Sequence, residues 1–204
     1  MRLLILICLL AGVIYWQGGV GGFPSFSGSL NHLDAKRYAP SAPEQKPING
    51  HHTKRLNGYT LTLHHSFKIK ALVLSRRNYS LDTESNLSPV DLALGWGPMS
   101  NPAPLKLINI SQRNRFYYFR YYETPPIAHR QIELNSANMH IIPANSQVKN
   151  NLKKVKKGSV IEMSGYLVNA NGKNGWHWNS STTRADTGNG ACELFYVEKI
   201  TILQ

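Results

Sequence analysis

Only two cysteines occur in the 204 residues, Cys8 and Cys192. Cys8 falls in an apolar N-terminal run, so Cys192 is the one thiol of the remaining chain and an internal disulfide there is excluded. Acidic residues are also scarce: 11 Asp and Glu stand against 23 Lys and Arg, a net charge of +12. Such a balance favours anionic partners. HExxH and CxxC spacings are absent, and His64 and His65, adjacent on a strand, would point to opposite faces. No metal and no cofactor are therefore expected. A repeated βαβ rhythm is missing, which argues against a doubly wound parallel sheet. The longest apolar run, Leu3 to Trp16, is shorter than the ~20 residues that span a bilayer.

What is present begins with that run. Arg2 precedes it, and Gly18, Gly19, Gly21 and Gly22 follow. A single positive charge, a short apolar core and small residues form an export signal. Residues 1–22 are expected to be a cleaved signal peptide, cut before Phe23, or an N-terminal membrane anchor. Either places the rest on the extracytoplasmic side. Residues 23–58 contain Pro24, Pro40, Pro43 and Pro47 among Ser, Gly, Asn and His, which predicts a flexible linker. A single globular domain is expected over residues 59–204.

Within that domain, Leu61, Leu63, Phe67, Ile69 and Ala71 share one parity, as in a long half-buried strand or hairpin. Ser88-Pro89-Val90-Asp91 reads as a helix start, with a capping serine, proline in the first turn and an acidic residue at the positive end of the dipole. Residues 104–110 and the aromatic stretch 115–123 read as strands, while 132–142 is ambiguous. Asn145 to Lys157 reads as a helix with Val148, Leu152 and Val155 on one face and Gly158 beyond it. Residues 159–168 and 192–203 predict two more strands, separated by a polar loop. The sum is a mainly β, α+β fold with one or two short helices, as a small antiparallel barrel or sheet, an OB-like barrel being one such form.

Three segments are distinctive: SPVDLALGWGPMS (residues 88–100), SANMHIIPA (136–144) and TRADTGNGACE (183–193). Through them the chain resembles a group of short bacterial proteins with a hydrophobic N-terminus, over about residues 65–198. The resemblance implies an envelope location, periplasmic or otherwise extracytoplasmic, and brings no chemistry with it.

Candidate chemistry gathers around the last of these segments. Cys192 can act as a thiolate nucleophile if a histidine activates it, with His140 or His177 as base and Asp186 or Asp91 to orient the ring. Asn138 adds a polar group beside His140. Arg184, Asp186 and Glu193 have the residue types of a metal-dependent phosphodiesterase, carboxylates for a hard cation and arginine for phosphate. Binding surfaces form a separate possibility. Lys153 and Lys154, with Lys149, Lys156 and Lys157, form a basic strip suited to phosphate groups. Arg120, in the aromatic strand, and Trp96, Trp176 and Trp178 offer surfaces for sugars or bases.

Two function classes follow. The favoured one is a non-catalytic binding or assembly module of the bacterial envelope, with a basic and aromatic surface for an anionic polymer, lipid head groups or an envelope protein. Nucleic acid is a less favoured partner, and the membrane is one through the N-terminus if the leader is retained. The alternatives are a cysteine-dependent hydrolase or transferase using Cys192, and a metal-dependent phosphodiesterase.

Overall fold

The structure, a computed structural model, describes residues 37–183 and 192–204. The leader expected over residues 1–22 lies outside the described residues. No helix among the described residues is long and apolar enough to cross a membrane. Among the described residues, nine strands, β1 (Glu44–Leu56), β2 (Tyr59–Asn78), β3 (Val90–Gly95), β4 (Asn109–Arg113), β5 (Phe116–Arg120), β6 (Ser136–Pro143), β7 (Val160–Asn171), β8 (His177–Trp178) and β9 (Glu193–Ile202), alternate with three short α-helices. The helices are α1 (Pro102–Leu105), α2 (His129–Leu134) and α3 (Ser146–Lys154). The mainly β fold is as the sequence predicts.

Seven strands form one sheet in the order β1-β2-β3-β6-β9-β7-β8, and β4-β5 form a second. All pairings are antiparallel except β6 with β9. The long β2 is shared. Its residues from Thr60 to Leu72 pair with β7, and those from Leu72 to Asn78 pair with β3. Five strands, β2, β3, β6, β9 and β7, are thus linked in a circuit of pairings, because β2 pairs with β7 as well as with β3. A simple closed barrel is not what forms, because β1 and β8 extend the sheet beyond that circuit.

Strand β1 corrects the expected linker over residues 44–56, while residues 23–36 of it lie outside the described residues. Residues 44–56 hydrogen-bond to β2, so the fold begins well before Tyr59. Their polar composition is that of an exposed edge strand, where pairing on one side supplies the order. The Ser88–Asp91 helix start is likewise overturned. Val90–Gly95 is a fully buried strand paired on both sides, and this tertiary context overrides the helical preference of Leu and Ala. Residues 104–110 divide between α1 and β4. The ambiguous 132–142 stretch divides between α2 and β6.

Helix α3 is as the sequence predicts, with the Asn145 side chain accepting from the Val148 N–H at 3.0 Å. It buries Val148 and Leu152 against a core that includes Phe67, Ile69, Leu92, Met139, Ile161 and Phe195. On β7, Gly165 is required by space: a Cβ there would meet the Tyr196 carbonyl oxygen at 2.0 Å. On β2, Ile69, Ala71 and Val73 face this core, while Leu72 and Leu74 join a second cluster with Met99, Ile108 and Ile132. The β4–β5 hairpin and α2 cover that second face, which is why residues 71–74 read as continuously apolar.

Candidate functional site

The site grows out of register. Asp91 on β3 lies directly opposite His140 on β6, and Ala93 lies opposite Asn138. Asp91 is 0% exposed and His140 4%. A buried carboxylate needs a partner, and Asp91 has two. The Arg115 Nη1 donates to Asp91 Oδ1 at 2.9 Å, and His140 Nδ1 stands 3.0 Å from the same oxygen. The His140 approach is an ion-pair distance without an aligned hydrogen bond, and Asp91 Oδ2 is buried with no hydrogen-bond partner among the described residues.

Arg115 organises the surroundings. It occupies the turn of the β4–β5 hairpin with Asn114, and both residues have positive φ, 52° for Asn114 and 67° for Arg115. A left-handed arginine is strained, and it persists where contacts over-determine it. Here its Nε and Nη2 grip both oxygens of Asp82 at 3.0 and 2.8 Å, and Nη1 also donates to the Ser88 carbonyl at 2.9 Å. The guanidinium lies 3.7 Å from the Tyr79 ring centroid. Its backbone N–H donates to Tyr79 Oη and its carbonyl accepts from Asn138 Nδ2 at 2.9 Å. Asp82 in turn caps the 3-10 turn Thr83–Asn86, accepting from the Ser85 N–H. Burial alone would push the Asp82 carboxyl up, but the hydrogen bonds and charge of Arg115, with the Ser85 N–H, hold it below its ordinary range. Two further bonds tie the hairpin down, Gln112 Nε2 to Asn138 Oδ1 at 2.7 Å and Tyr117 Oη with Ser136 Oγ at 2.8 Å. Burial pushes the Tyr117 hydroxyl up to about 12.

Above this floor lies a cleft of about 180 Å³ where His140, Cys192, Trp178 and Arg115 meet, flanked by Glu84 and Phe116. Cys192 is half-buried. Its Sγ lies 3.7 Å from Asn138 Nδ2 and 3.8 Å from the Arg115 carbonyl oxygen. The Trp178 ring packs on His140 at 4.6 Å between centroids. Trp178 is 6.3 Å from Trp176, and Trp176 is 5.0 Å from Tyr59. This row of rings leads to a second recess of about 490 Å³, lined by Tyr59, Trp176, Lys173, Thr83 and Asn86 among others. The turn Thr83–Asn86 contributes to both spaces.

The structure thus brings Cys192, His140, Asn138, Asp91 and Trp178 together, with Trp176 next along the row. Glu193 is buried at the start of β9, beside Cys192. It separates others. Trp96 is 2% exposed and packs in the main core, so it corrects the expectation of a binding surface there. Arg120 is exposed on β5, and Lys153 and Lys154 are exposed on α3. His177 is exposed and its Nδ1 contacts the Gly175 carbonyl, outside the lining of the cleft. Arg184 and Asp186 lie outside the described residues. Among the described residues, no group of three or more His, Cys, Asp or Glu side chains is placed to hold a metal ion.

The sequence reading missed Asp82 and Tyr79, and read Arg115 only as a basic residue of the aromatic strand. The usable signal was Asn114 followed by the aromatic run, the mark of a two-residue hairpin turn, which would have set Arg115 at a strained and exposed-looking apex worth explaining. No protein-family model, no curated protein and no solved structure matches this chain.

Proposed function

We propose that the chain is a non-catalytic binding module of the bacterial envelope, and that its ligand is an anionic glycan lying along Tyr59, Trp176 and Trp178. The observation that carries this reading is the continuous row of rings joining the 490 Å³ recess to the 180 Å³ cleft. Large rigid aromatic faces with a polar edge suit ligands that are apolar on one face and hydroxylated at the rim. Lys173, in the recess beside Trp176, supplies positive charge, as does the net +12 of the whole chain. Position in the fold supports it as well. OB-type barrels hold oligosaccharides and oligonucleotides on their second and third strands and on the loops after the first and fourth. Counted around this circuit, those are β3, β6, the 79–89 connection and, after β7, residues 172–183. That parallel is an analogy of fold, and the aromatic row carries the specific claim.

The test is quenching of tryptophan fluorescence by soluble peptidoglycan fragments and by alginate oligomers, with neutral cellulose oligomers as the control. Saturable quenching by an anionic glycan is expected, weakened about tenfold or more, roughly 1.4 kcal/mol, in Trp176→Ala. Equal binding by the variant would overturn the assignment.

One observation favours a second reading. His140 lines the same cleft as Cys192, and behind it the buried Asp91 Oδ1 stands 3.0 Å from His140 Nδ1, the arrangement of an orienting carboxylate and a base near a thiol. If Cys192 is a nucleophile, its alkylation by iodoacetamide will follow a pKa well below the ordinary value of about 8.5. In His140→Gln it will return to that value. Ordinary thiol behaviour in both proteins would dismiss catalysis by this cysteine.

A further inference from the structure

The geometry points to a second ligand site, a pocket for the alkyl chain and carboxylate of a fatty acid, in a recess that shares no lining residue with the aromatic row or the cleft. This recess has a volume of about 460 Å³, inside the range of roughly 300–1,000 Å³ typical of small-molecule sites. Leu72, Leu74, Leu105, Ile108 and Ile110 are among its walls. Leu72, Leu74 and Ile108 are buried members of the second apolar cluster, so the recess is a gap in a packed face and not a loose surface patch. Unfilled apolar space of this size forfeits contacts on one side of every lining atom.

The polar part of the lining is one-signed. Lys106 and Lys157 line the recess, both are exposed, and no carboxylate lines it. Neither lysine makes an ion pair among the described residues. Both are carried on short, fixed backbone. Lys106 closes α1, its N–H bonded to the Pro104 carbonyl. Lys157 precedes Gly158, whose N–H donates to the Val73 carbonyl at 2.8 Å, and the Val73 N–H donates to the Ser159 carbonyl at 2.9 Å. The turn bearing Lys157 is therefore pinned to the strand that forms the wall. Gly158 sits at φ 89°, where a residue with a side chain would be strained. An apolar floor with two lysines carried on fixed backbone at its edge complements one alkyl chain ending in one anionic group. Exposed Leu107, at 66% the neighbour of both Lys106 and Ile108, extends the apolar surface beside it.

The test is calorimetric titration of the full chain, without detergent, using laurate below its micellar concentration. Dodecanol and vesicles of anionic phospholipid serve as comparison probes. Laurate is expected to saturate at one per chain. The double variant Lys106→Glu, Lys157→Glu is expected to weaken it about tenfold or more, and dodecanol should bind the native chain weakly and the variant equally. Because both lysines are exposed, the variant will melt close to the native protein. No laurate binding, unchanged affinity in the folded variant, or binding to vesicles alone would each overturn the proposal. The last would reassign the lysines to a membrane surface. An increase in assembly size with concentration that laurate does not reverse would assign the recess to a second copy of the chain and also overturn it.

Discussion

The charged cleft and the apolar recess both draw on the β4–β5 hairpin, through Arg115 and Phe116 in the cleft and Ile110 in the recess, and follow opposite rules. In the cleft, Asp91, His140 and Arg115 are removed from water and each is specified by direction: a guanidinium with bonds to two carboxylates and a carbonyl, a tyrosine ring beneath it, an imidazole in register across the sheet. In the recess, Leu72, Leu74 and Ile108 need only shape and volume. Directional groups fail together when one is lost, whereas apolar walls fail by increments. The two regions should therefore respond differently to removal of a single side chain.

The sharpest contrast is Arg115→Met. It keeps an apolar stem of similar length but leaves Asp82 and the fully buried Asp91 without their cation, and breaking a buried pair in this way costs about 3–5 kcal/mol. Arg115→Lys should recover only part, because one ammonium cannot make the bidentate grip on Asp82 while reaching Asp91 and Ser88. Urea unfolding of the three proteins at neutral pH measures this. The native protein carries the same signature in acid. Since the Asp82 carboxyl is held low in the fold, its contribution is present above its unfolded value of about 3.9 and is lost as pH falls through the lower folded value. Arg115→Met should lose that acid slope. Retention of full stability by Arg115→Met would mean the cleft is no more directional than the recess.

The matching change in the recess is Leu74→Ala. Leu74 is buried, but the space beside it is already open, so the expected loss is about 2 kcal/mol, at the low end for leucine truncation. A loss as large as that of Arg115→Met would show that the recess walls are as tightly coupled as the ion network.

The contrast also explains what could be read from the sequence. Strands β2, β7 and β9 follow from alternation of apolar residues, and α3 from the spacing of Val148, Leu152 and Val155, because a packed face imprints its period on the chain. Cys192 and His140 were legible as candidates, a lone thiol and a histidine among apolar residues, but His177 was an equal alternative, and only the fold sets His140 and not His177 beside Cys192. Asp91 was visible but misassigned to a helix terminus, since Ser88-Pro89 has the chemistry of one and the pairing that makes β3 a strand comes from residues 72–78 and 136–141. The part played by Arg115 was hidden for a different reason. Its partners lie 24 and 33 residues away, at Asp91 and Asp82, and no local pattern announces a long-range ion network. Strand β1 was hidden because an exposed edge has no apolar period to show.

Tyr117, which braces the hairpin against β6, gives a smaller, pH-limited effect. Its hydroxyl titrates near 12 in the fold and near 10 when unfolded. Between those values the unfolded chain has lost its proton while the folded one keeps it, so stability falls as pH rises across that window. The slope approaches about 1.4 kcal/mol per pH unit and vanishes in Tyr117→Phe, apart from other groups that titrate there. Ultraviolet titration of tyrosinate locates the folded value. A Tyr117 that ionises near 10 would mean the hairpin opens readily and the cleft floor is not fixed.

The smallest effect belongs to the lysines of α3, which are charged yet follow neither rule. Lys153 and Lys154 are exposed, and Lys153 Nζ donates to Asn150 Oδ1 on its own helix at 3.3 Å. Solvent holds such charges, so reversing both to glutamate should change unfolding free energy by less than about 0.5 kcal/mol. It should also leave laurate binding and glycan quenching unaltered, since neither residue lines the recess or the aromatic row. Two glutamates in the last helical turn oppose the helix dipole, so any loss should shrink as salt is raised. A loss above 1 kcal/mol that resists salt would place these lysines in a structural network, and charge position would then cease to separate the cleft from the rest of the molecule.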